Sequence, residues 1–491
     1  MVSLRFPASV PPGVLRPRGV MVYKGEMRRS RRTSPNAPET MQLPVISAPS
    51  PDTPELSSTD RLEVQRVLDL ALGIGAAQLA CGVGAVDVTS SMRGVLEVYG
   101  VRRCQVDVTY DRITVSYRAW VGADPLTAMH RVPSRSLDYT RLQAVDRLVQ
   151  HIAAGSIDRS AANAELDQIV RAPHPYPRWV ATVALAAVGA GMAVLLGGGP
   201  LVACVAATAT AAIDRIGRVL NRHGVLLFFQ QIVGAAVATS VTVVLTVADL
   251  VGGKDPSLVA AASIVVLLSG MAVVGAVQDI LTGYYLTGVA RGVEIALFSV
   301  GLLVGVTIAL RVALAFGVDV TIAPDIVAPG LQSVPARVVA GGVVAAAVAL
   351  ASYAPLRGTV AAGVAGAAGS AVLLLLSYGG FGIIESSFVA ATLIGLAGAV
   401  LSRRFQLPPL IVAMAGIIPL VPGLTTYRGF VSLVTGDAVG GLSSLSAAFA
   451  TALALGAGVL CGQFLSDPVR RRMGRLQRRY FRQGTAGYQD R

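Results

Sequence analysis

Between residues 179 and 469 the chain is nearly without charge: ten Asp and Glu and eleven Lys and Arg occupy that stretch, and the remaining eighteen acidic and thirty basic residues lie on either side of it. Charged residues make up only 14% of the 491 residues, against roughly 25% in an ordinary soluble domain. So little polar surface excludes a water-soluble fold for this stretch. Cysteine is scarce as well. Cys81, Cys104, Cys204 and Cys461 follow no metal-ligand spacing, and the last two fall inside apolar runs, so neither a disulfide framework nor a zinc site is expected. The four histidines, His130, His151, His174 and His223, show no metal spacing and are assigned no chemistry. Gly197-Gly198-Gly199-Pro200 is followed by no Walker lysine and preceded by no strand, which argues against ATP as the energy source. No cofactor is expected. Residues 1–60 mix Pro, Ser and Arg without a sustained apolar core, so no signal peptide is expected, and Met21 and Met41 are alternative starts.

What is abundant is apolar sequence: 53% of the chain, with a mean hydropathy of +0.63. Ten apolar stretches follow Trp179, at about 180–198, 201–219, 225–247, 258–277, 289–311, 336–354, 359–377, 384–402, 408–421 and 442–465. Most approach the roughly 20 residues that cross a bilayer as helix. The ninth is too short unless it continues past Pro422 as a broken helix, and the fourth carries Gly270 and Gly275 near its end. With the amino terminus inside, Arg215, Arg218, Arg222, Arg291, Arg357, Arg403 and Arg404 fall on the cytoplasmic side, and so does the tail beginning Arg470-Arg471-Arg472. Both termini are then cytoplasmic and the protein sits in the inner membrane. The net charge of +13 lies on the flanks, where anionic lipid headgroups are the expected partner and nucleic acid is not.

The sixteen residues Leu268–Gly283 recur 153 positions later as Val421–Gly436, pairing Gly270 with Gly423, Met271 with Leu424, Ile280 with Leu433, Thr282 with Thr435, Gly283 with Gly436 and, beyond, Gly288 with Gly441. Five spans, an odd number, separate the copies, so the first approaches the cytoplasmic face and the second the outer face. Two inverted five-helix repeats, 179–312 and 336–466, are therefore expected around one site. Residues 61–175 read as a small soluble cytoplasmic α/β domain between a disordered basic segment, 1–60, and the membrane, and 467–491 form a basic cytoplasmic tail. Within that domain helices are expected at 61–72, 89–99, 137–154 and 161–170, with a hairpin from Cys104–Tyr110 and Arg112–Tyr117 turning near Asp111. No Ser/His/Asp or Cys/His arrangement can be placed in it, so regulation or assembly is expected of it rather than catalysis. Many small residues in the spans also leave room for a homo-oligomer.

The stretch Leu407–Gly429, with its Ile418-Pro419-Leu420-Val421-Pro422-Gly423 element, resembles the threonine/serine exporter family. Gly82–Thr89, Cys104–Tyr110 and Tyr176-Pro177-Arg178-Trp179 look like the family's amino-terminal module and the approach to its membrane part. The resemblance covers about residues 61–466. It implies ten spans after a soluble domain, and export of L-threonine and L-serine driven by the proton motive force rather than an enzyme activity. Similar proteins have been linked to dicarboxylate export, which stands as the alternative cargo. A membrane scaffold or sensor, with the soluble domain as the active part, is the alternative of another class.

Transport of a zwitterion needs an NH-rich or cationic site for the carboxylate and an acceptor for the ammonium. Pro419 and Pro422 cannot donate backbone hydrogen bonds, so a break is expected before Gly423, with Thr425, Thr426, Tyr427 and Arg428 lining the route from the new helix start and Arg428 touching the carboxylate. Gly270 is the counterpart in the first copy. Asp279, Glu294 and Glu385 are the expected proton carriers, since carboxylates bordering spans are the groups whose burial tunes them for that work, and Gln230 and Gln231 occupy positions comparable to Glu385. Asp214, beside Arg215 and Arg218, is expected in an interfacial ion pair.

Overall fold

A computed structural model describes residues 58–486 apart from 121–122, 133–136, 249–256, 268–269, 319–332 and 406; residues 1–57 of the segment expected to be disordered and the first two residues of the repeat, Leu268 and Ser269, lie outside the described residues, while the segment's last three, 58–60, open a helix. The chain begins with an α/β portion of seven elements: α1 (Ser58–Ala80), α2 (Ala85–Val98), β1 (Cys104–Val108), β2 (Arg112–Tyr117), β3 (Leu126–Arg131), α3 (Tyr139–Ala153) and α4 (Arg159–Arg171). The strands form an antiparallel sheet in the order β1-β2-β3, with Val106 opposite Val115 and Val115 opposite Ala128. Asp138 starts α3 by accepting from the Arg141 amide at 2.9 Å, and Asp158 does the same for α4 from Ser160 at 3.1 Å. Leu68, Ile74, Met92, Leu96, Ile113 and Leu148 are fully or almost fully buried and form the core between helices and sheet. Two sequence expectations change. The first helix runs on to Ala80 and leaves Leu62 exposed, and a third strand follows the hairpin, where Met129 faces outward and no apolar alternation marks it.

Asp146 of α3 accepts from Gln78 Nε2 at 3.3 Å, and burial pushes its carboxyl up to about 6. The folded chain thus holds this proton more tightly than the unfolded chain, whose aspartates titrate near 4, and stability falls as pH rises from about 4 to 6. Asp146→Asn is expected to remove that fall. Thermal melts at pH 4.5 and 7 should show a smaller pH effect than in the unmodified protein; an unchanged pH effect would refute the assignment.

The remaining helices are apolar: α5 (Arg178–Leu195), α6 (Pro200–Arg222), α7 (Leu227–Val247), α8 (Ser257–Leu267), α9 (Gly270–Leu281), α10 (Tyr285–Ala315), α11 (Val334–Ala351), α12 (Leu356–Tyr378), α13 (Ile383–Phe405), α14 (Pro409–Ile417), α15 (Gly423–Val434) and α16 (Ala438–Ala486), with a 3-10 turn over Ile418–Leu420. Among the described residues eight are long and apolar enough to cross a membrane, and ten spans result if α8 with α9, bent by 50°, and α14 with α15, bent by 48°, each count as one. The ninth apolar stretch does continue past Pro422. Helix α10 begins at Tyr285, four residues before the apolar stretch expected at 289–311, so Arg291 lies well inside the helix rather than at its first turn.

The two sets of five spans use the same partners. Helix α5 packs on α6 as α11 does on α12, α7 on α10 as α13 on α16, and α9 on α10 as α15 on α16, while α5 against α11 joins the sets. The details recur at the same offset. Helices α9 and α15 are both 12 residues, and each ends at a glycine with positive φ, +91° at Gly283 and +94° at Gly436, a conformation that favours glycine. Thr282 donates to the carbonyl of Gln278 at 2.8 Å and Thr435 to that of Val431 at 3.1 Å. A Cβ on Gly288 would lie 2.4 Å from Ile280, and one on Gly441 2.7 Å from Leu433. A Cβ on Gly305 would stand 2.2 Å from the Ile232 carbonyl and one on Gly458 2.5 Å from that of Phe388, so both helix crossings depend on glycine. The bent pairs meet at the centre, where a Cβ on Gly423 would fall 1.9 Å from Val265 Cγ2.

Candidate substrate site

The polar centre is built on the α9–α10 hairpin. Asp279, 1% exposed, sits near the end of α9, and the tight turn at Gly283 brings α10 back alongside it. Arg291, 3% exposed, reaches across from α10, and its Nη1 lies 2.9 Å from Asp279 Oδ2. Gly275, one turn before Asp279, makes room for the guanidinium, since a Cβ there would be 2.7 Å from Arg291 Nη1. The other carboxylate oxygen, Oδ1, accepts from the Ala85 amide at 3.0 Å, the first residue of α2 in the α/β portion. Asp279 is thus shared between a membrane helix and the start of a helix outside the membrane. A carboxylate at a helix amino terminus is favourably placed by the helix dipole.

Glu294 stands three residues after Arg291, on the same face of α10 and half-buried. Both line a cavity of about 480 Å³, within the range of small-molecule sites. Its walls come from both bent pairs, with Val265 and Ala272 from α8 and α9 and Met414 and Ile418 from α14 and its 3-10 turn, and Ser352 at the end of α11 adds a hydroxyl. The α/β portion closes one side with Gly82, Leu137 and Tyr139. A guanidinium and a carboxylate on one helical face, in an otherwise apolar enclosure, suit the two charges of a small zwitterion. A larger recess of about 600 Å³ runs along α7 and Ile308, but its lining is apolar except for Ser240 and offers neither charge. Among the described residues no three His, Cys, Asp or Glu side chains converge to hold a metal ion.

The residues singled out in the sequence are dispersed. Asp279 and Glu294 come to the centre. Glu385 is exposed in the first turn of α13, folded back over Gly382, and does not line the cavity. Gln230 donates to the Val225 carbonyl at 2.7 Å, and Gln231 packs between α7 and Gly301 of α10. At the second bend the lining comes from Leu410, Met414 and Ile418, not from Pro419, Pro422, Gly423 or the residues after them. Thr425 is half-buried and lines no part of the cavity, Thr426 donates to the Pro422 carbonyl at 2.8 Å, and Arg428 is half-buried on α15. Tyr427, fully buried, is packed with Ala235, Ala260 and Leu302 of the first set of helices. Gly270 marks the start of α9. Asp214 does pair, with Arg218.

Arg291 is legible in the sequence only as a basic residue marking the cytoplasmic side, because its apolar stretch begins at 289. The signal that marks it is its spacing: twelve residues after Asp279 and three before Glu294 it falls within an apolar region, where an ionisable residue signals function.

Eight to ten apolar spans, two bent helix pairs meeting at the centre, and a cavity between them that carries opposite charges define a multi-pass membrane transporter. The chain belongs to the threonine/serine exporter family. A family model described as "Putative threonine/serine exporter" matches residues 69–313, and a second, "Threonine/Serine exporter, ThrE", matches residues 337–465. The chain is 41% identical over 424 residues to a protein of Mycobacterium tuberculosis (strain ATCC 25618 / H37Rv) named "Probable threonine/serine exporter", covering 85% of this chain and 79% of that one. It is 35% identical over 427 residues to the "Threonine/serine exporter" of Corynebacterium glutamicum, covering 86% and 87% respectively. No solved structure matches the chain.

Proposed function

We propose that this protein is a secondary active exporter that carries L-threonine and L-serine out of the cytoplasm in exchange for protons, with the Arg291–Glu294 cavity as its substrate site. The observation that carries the reading is the pair of opposite charges on one face of α10, lining a cavity bounded by both bent helix pairs. Arg291 receives the amino-acid carboxylate. Glu294 receives the ammonium when ionised and releases it on taking up a proton, so proton and substrate exclude each other, as exchange requires. The names of the relatives supply the cargo. A single carboxylate beside a single arginine disfavours a dicarboxylate, and a scaffold would have no use for a buried ion pair aimed at a cavity.

The test is accumulation of labelled threonine in inverted vesicles with and without an imposed proton gradient. Gradient-dependent uptake is expected; its absence for threonine, serine and a dicarboxylate alike would sink the transporter reading.

The proposal includes two inverted halves, the geometry from which alternating access follows. The recurring contacts at Gly283 and Gly436, at Gly288 and Gly441 and at Gly305 and Gly458 support it. So does the odd number of spans between the copies. Thr282 and Thr435 are both exposed at the equivalent turns. Cysteines placed there should react with a membrane-impermeant maleimide from opposite faces, Thr282→Cys from the cytoplasm and Thr435→Cys from outside. Reaction of both from one face would overturn the inversion.

A further inference from the structure

We infer that the amino-terminal α/β domain is the inner gate of the cavity, and that Asp279 is the latch that holds it shut. The inference rests on the proposed role of the cavity as the transport site, and concerns how the cytoplasm reaches it.

The domain is fastened to the membrane helices at two places on either side of the cavity. On one, the α2 amide of Ala85 donates to Asp279 at 3.0 Å, Tyr284 donates to the Thr89 hydroxyl at 2.9 Å and Thr287 donates to the Val108 carbonyl at 3.2 Å. On the other, the Tyr139 amide donates to the Ser352 carbonyl at 2.9 Å and Thr140 to the Tyr353 carbonyl at 2.5 Å. The His174 ring also stacks on Tyr353 at 4.4 Å. Between these anchors Gly82, Leu137 and Tyr139 form the cavity wall. In the gate reading a substrate coming from the cytoplasm enters where this wall stands, so the wall moves.

The fastenings are unequal in kind. Among the described residues the other four hydrogen bonds join neutral groups, and His174, stacked on Tyr353, is itself paired with Asp138 at 2.8 Å; Asp279 brings a full negative charge to the domain, at the start of α2. Protonation removes that charge and, with it, the attraction to the helix start and to Arg291. Charged groups set against Asp279 include Arg291 from α10 and Asp87 from α2, while α16, packed on the same helix, brings Gly456 against Val277. Asp87 is reachable by solvent yet crowded by protein atoms, and this crowding first, the Asp279 charge second, holds its carboxyl above the usual range.

The latch sets the order of events in proton exchange. The form that arrives from outside carrying a proton on Asp279 has a weakened hold on α2, the domain lifts, and the proton leaves to cytoplasmic water. The ionised carboxylate then takes back the Ala85 amide once substrate has entered, closing the gate behind it.

The gate is tested without measuring transport. In a background with Cys81, Cys104, Cys204 and Cys461 changed to alanine, Ser352→Cys reports access to the cavity through its reaction with a membrane-impermeant maleimide added to the cytoplasmic side of inverted vesicles. Slow labelling at pH 8 and at least fivefold faster labelling at pH 5.5 are expected, after correction for the thiolate fraction by a surface cysteine at Thr282. Two variants probe the latch. Asp279→Asn should label fast at both pH values. Ala85→Pro removes only the amide donor at a first-turn position that accepts proline, after Gly84 at φ −65° and ψ 152°, and should also label fast. Joining Thr89→Cys to Tyr284→Cys with a short reversible bis-thiosulfonate should slow labelling at pH 5.5 at least fivefold, and a reductant should restore it. Labelling that is independent of pH, or unchanged in Ala85→Pro and in the cross-linked protein, would overturn the gate. Proton-driven threonine uptake with unchanged labelling would refute the gate alone, whereas the expected labelling without any uptake would refute the proposed function.

Discussion

Asp279→Ala is expected to destabilise the protein more than almost any other single polar substitution, whereas Asp279→Ala combined with Arg291→Met should recover part of the stability, the Ala85 amide still lacking its acceptor, and none of the transport. The two side chains are 1% and 3% exposed and 2.9 Å apart, so removing the carboxylate leaves a guanidinium buried without its charge partner. Breaking such a pair from one side costs about 3–5 kcal/mol, a large share of a typical total of about 5–15 kcal/mol. Replacing both partners by apolar groups of similar size is often neutral, because the desolvation cost of each charge disappears together with their attraction. The measurement is a thermal melt of the detergent-solubilised protein for the two single variants and the double. The single variants should melt well below the unmodified chain, with the double between them and it. If the pair serves only structure, the double variant would also export threonine at a normal rate, and that outcome would remove Arg291 from the site.

The sequence makes the two halves visible through glycine and little else. Gly283 and Gly288 pair with Gly436 and Gly441 because each allows a positive φ or a close approach that a side chain would block, whereas the apolar residues around them are interchangeable. The same reasoning applies to Gly305 and Gly458, each pressed on a carbonyl of the neighbouring helix. The second bend was legible for a related reason: Pro419 and Pro422 remove backbone donors, and the helix stops there. The site was only half legible. Asp279 and Glu294 stand out as carboxylates in apolar surroundings, but Arg291 does not, because hydropathy places the span boundary beside it and basic residues at a boundary read as cytoplasmic anchors. Nothing local distinguishes Glu385 from Glu294 either. The difference is tertiary: the face of α10 that carries Glu294 turns to the cavity, while the start of α13 lies at the surface. The docking of the α/β portion on Asp279 joins residues 194 positions apart through a backbone amide, and a backbone amide leaves no mark in sequence.

That difference sets the second expected result. Glu294→Gln should raise the threonine KM on the cytoplasmic side by tenfold or more and remove its dependence on pH, while Glu385→Gln should leave both as they are. Gln has the size of Glu and mimics its protonated form, so the variant is fixed in the state that releases the ammonium. A hydrogen bond to a charged group contributes about 1.5–3 kcal/mol, and every 1.4 kcal/mol corresponds to a factor of ten. In the unmodified exporter, protons compete with substrate for the carboxylate, so KM should climb as cytoplasmic pH falls. With no carboxylate to titrate, the variant's KM should stay high and flat. The experiment is the initial rate of labelled threonine uptake into inverted vesicles at several external pH values, read as KM and maximal rate separately. A purely structural role for Glu294 would lower the amount of folded transporter and the maximal rate and leave the pH slope of KM in place, and that pattern would rule out Glu294 as the group that proton and ammonium share.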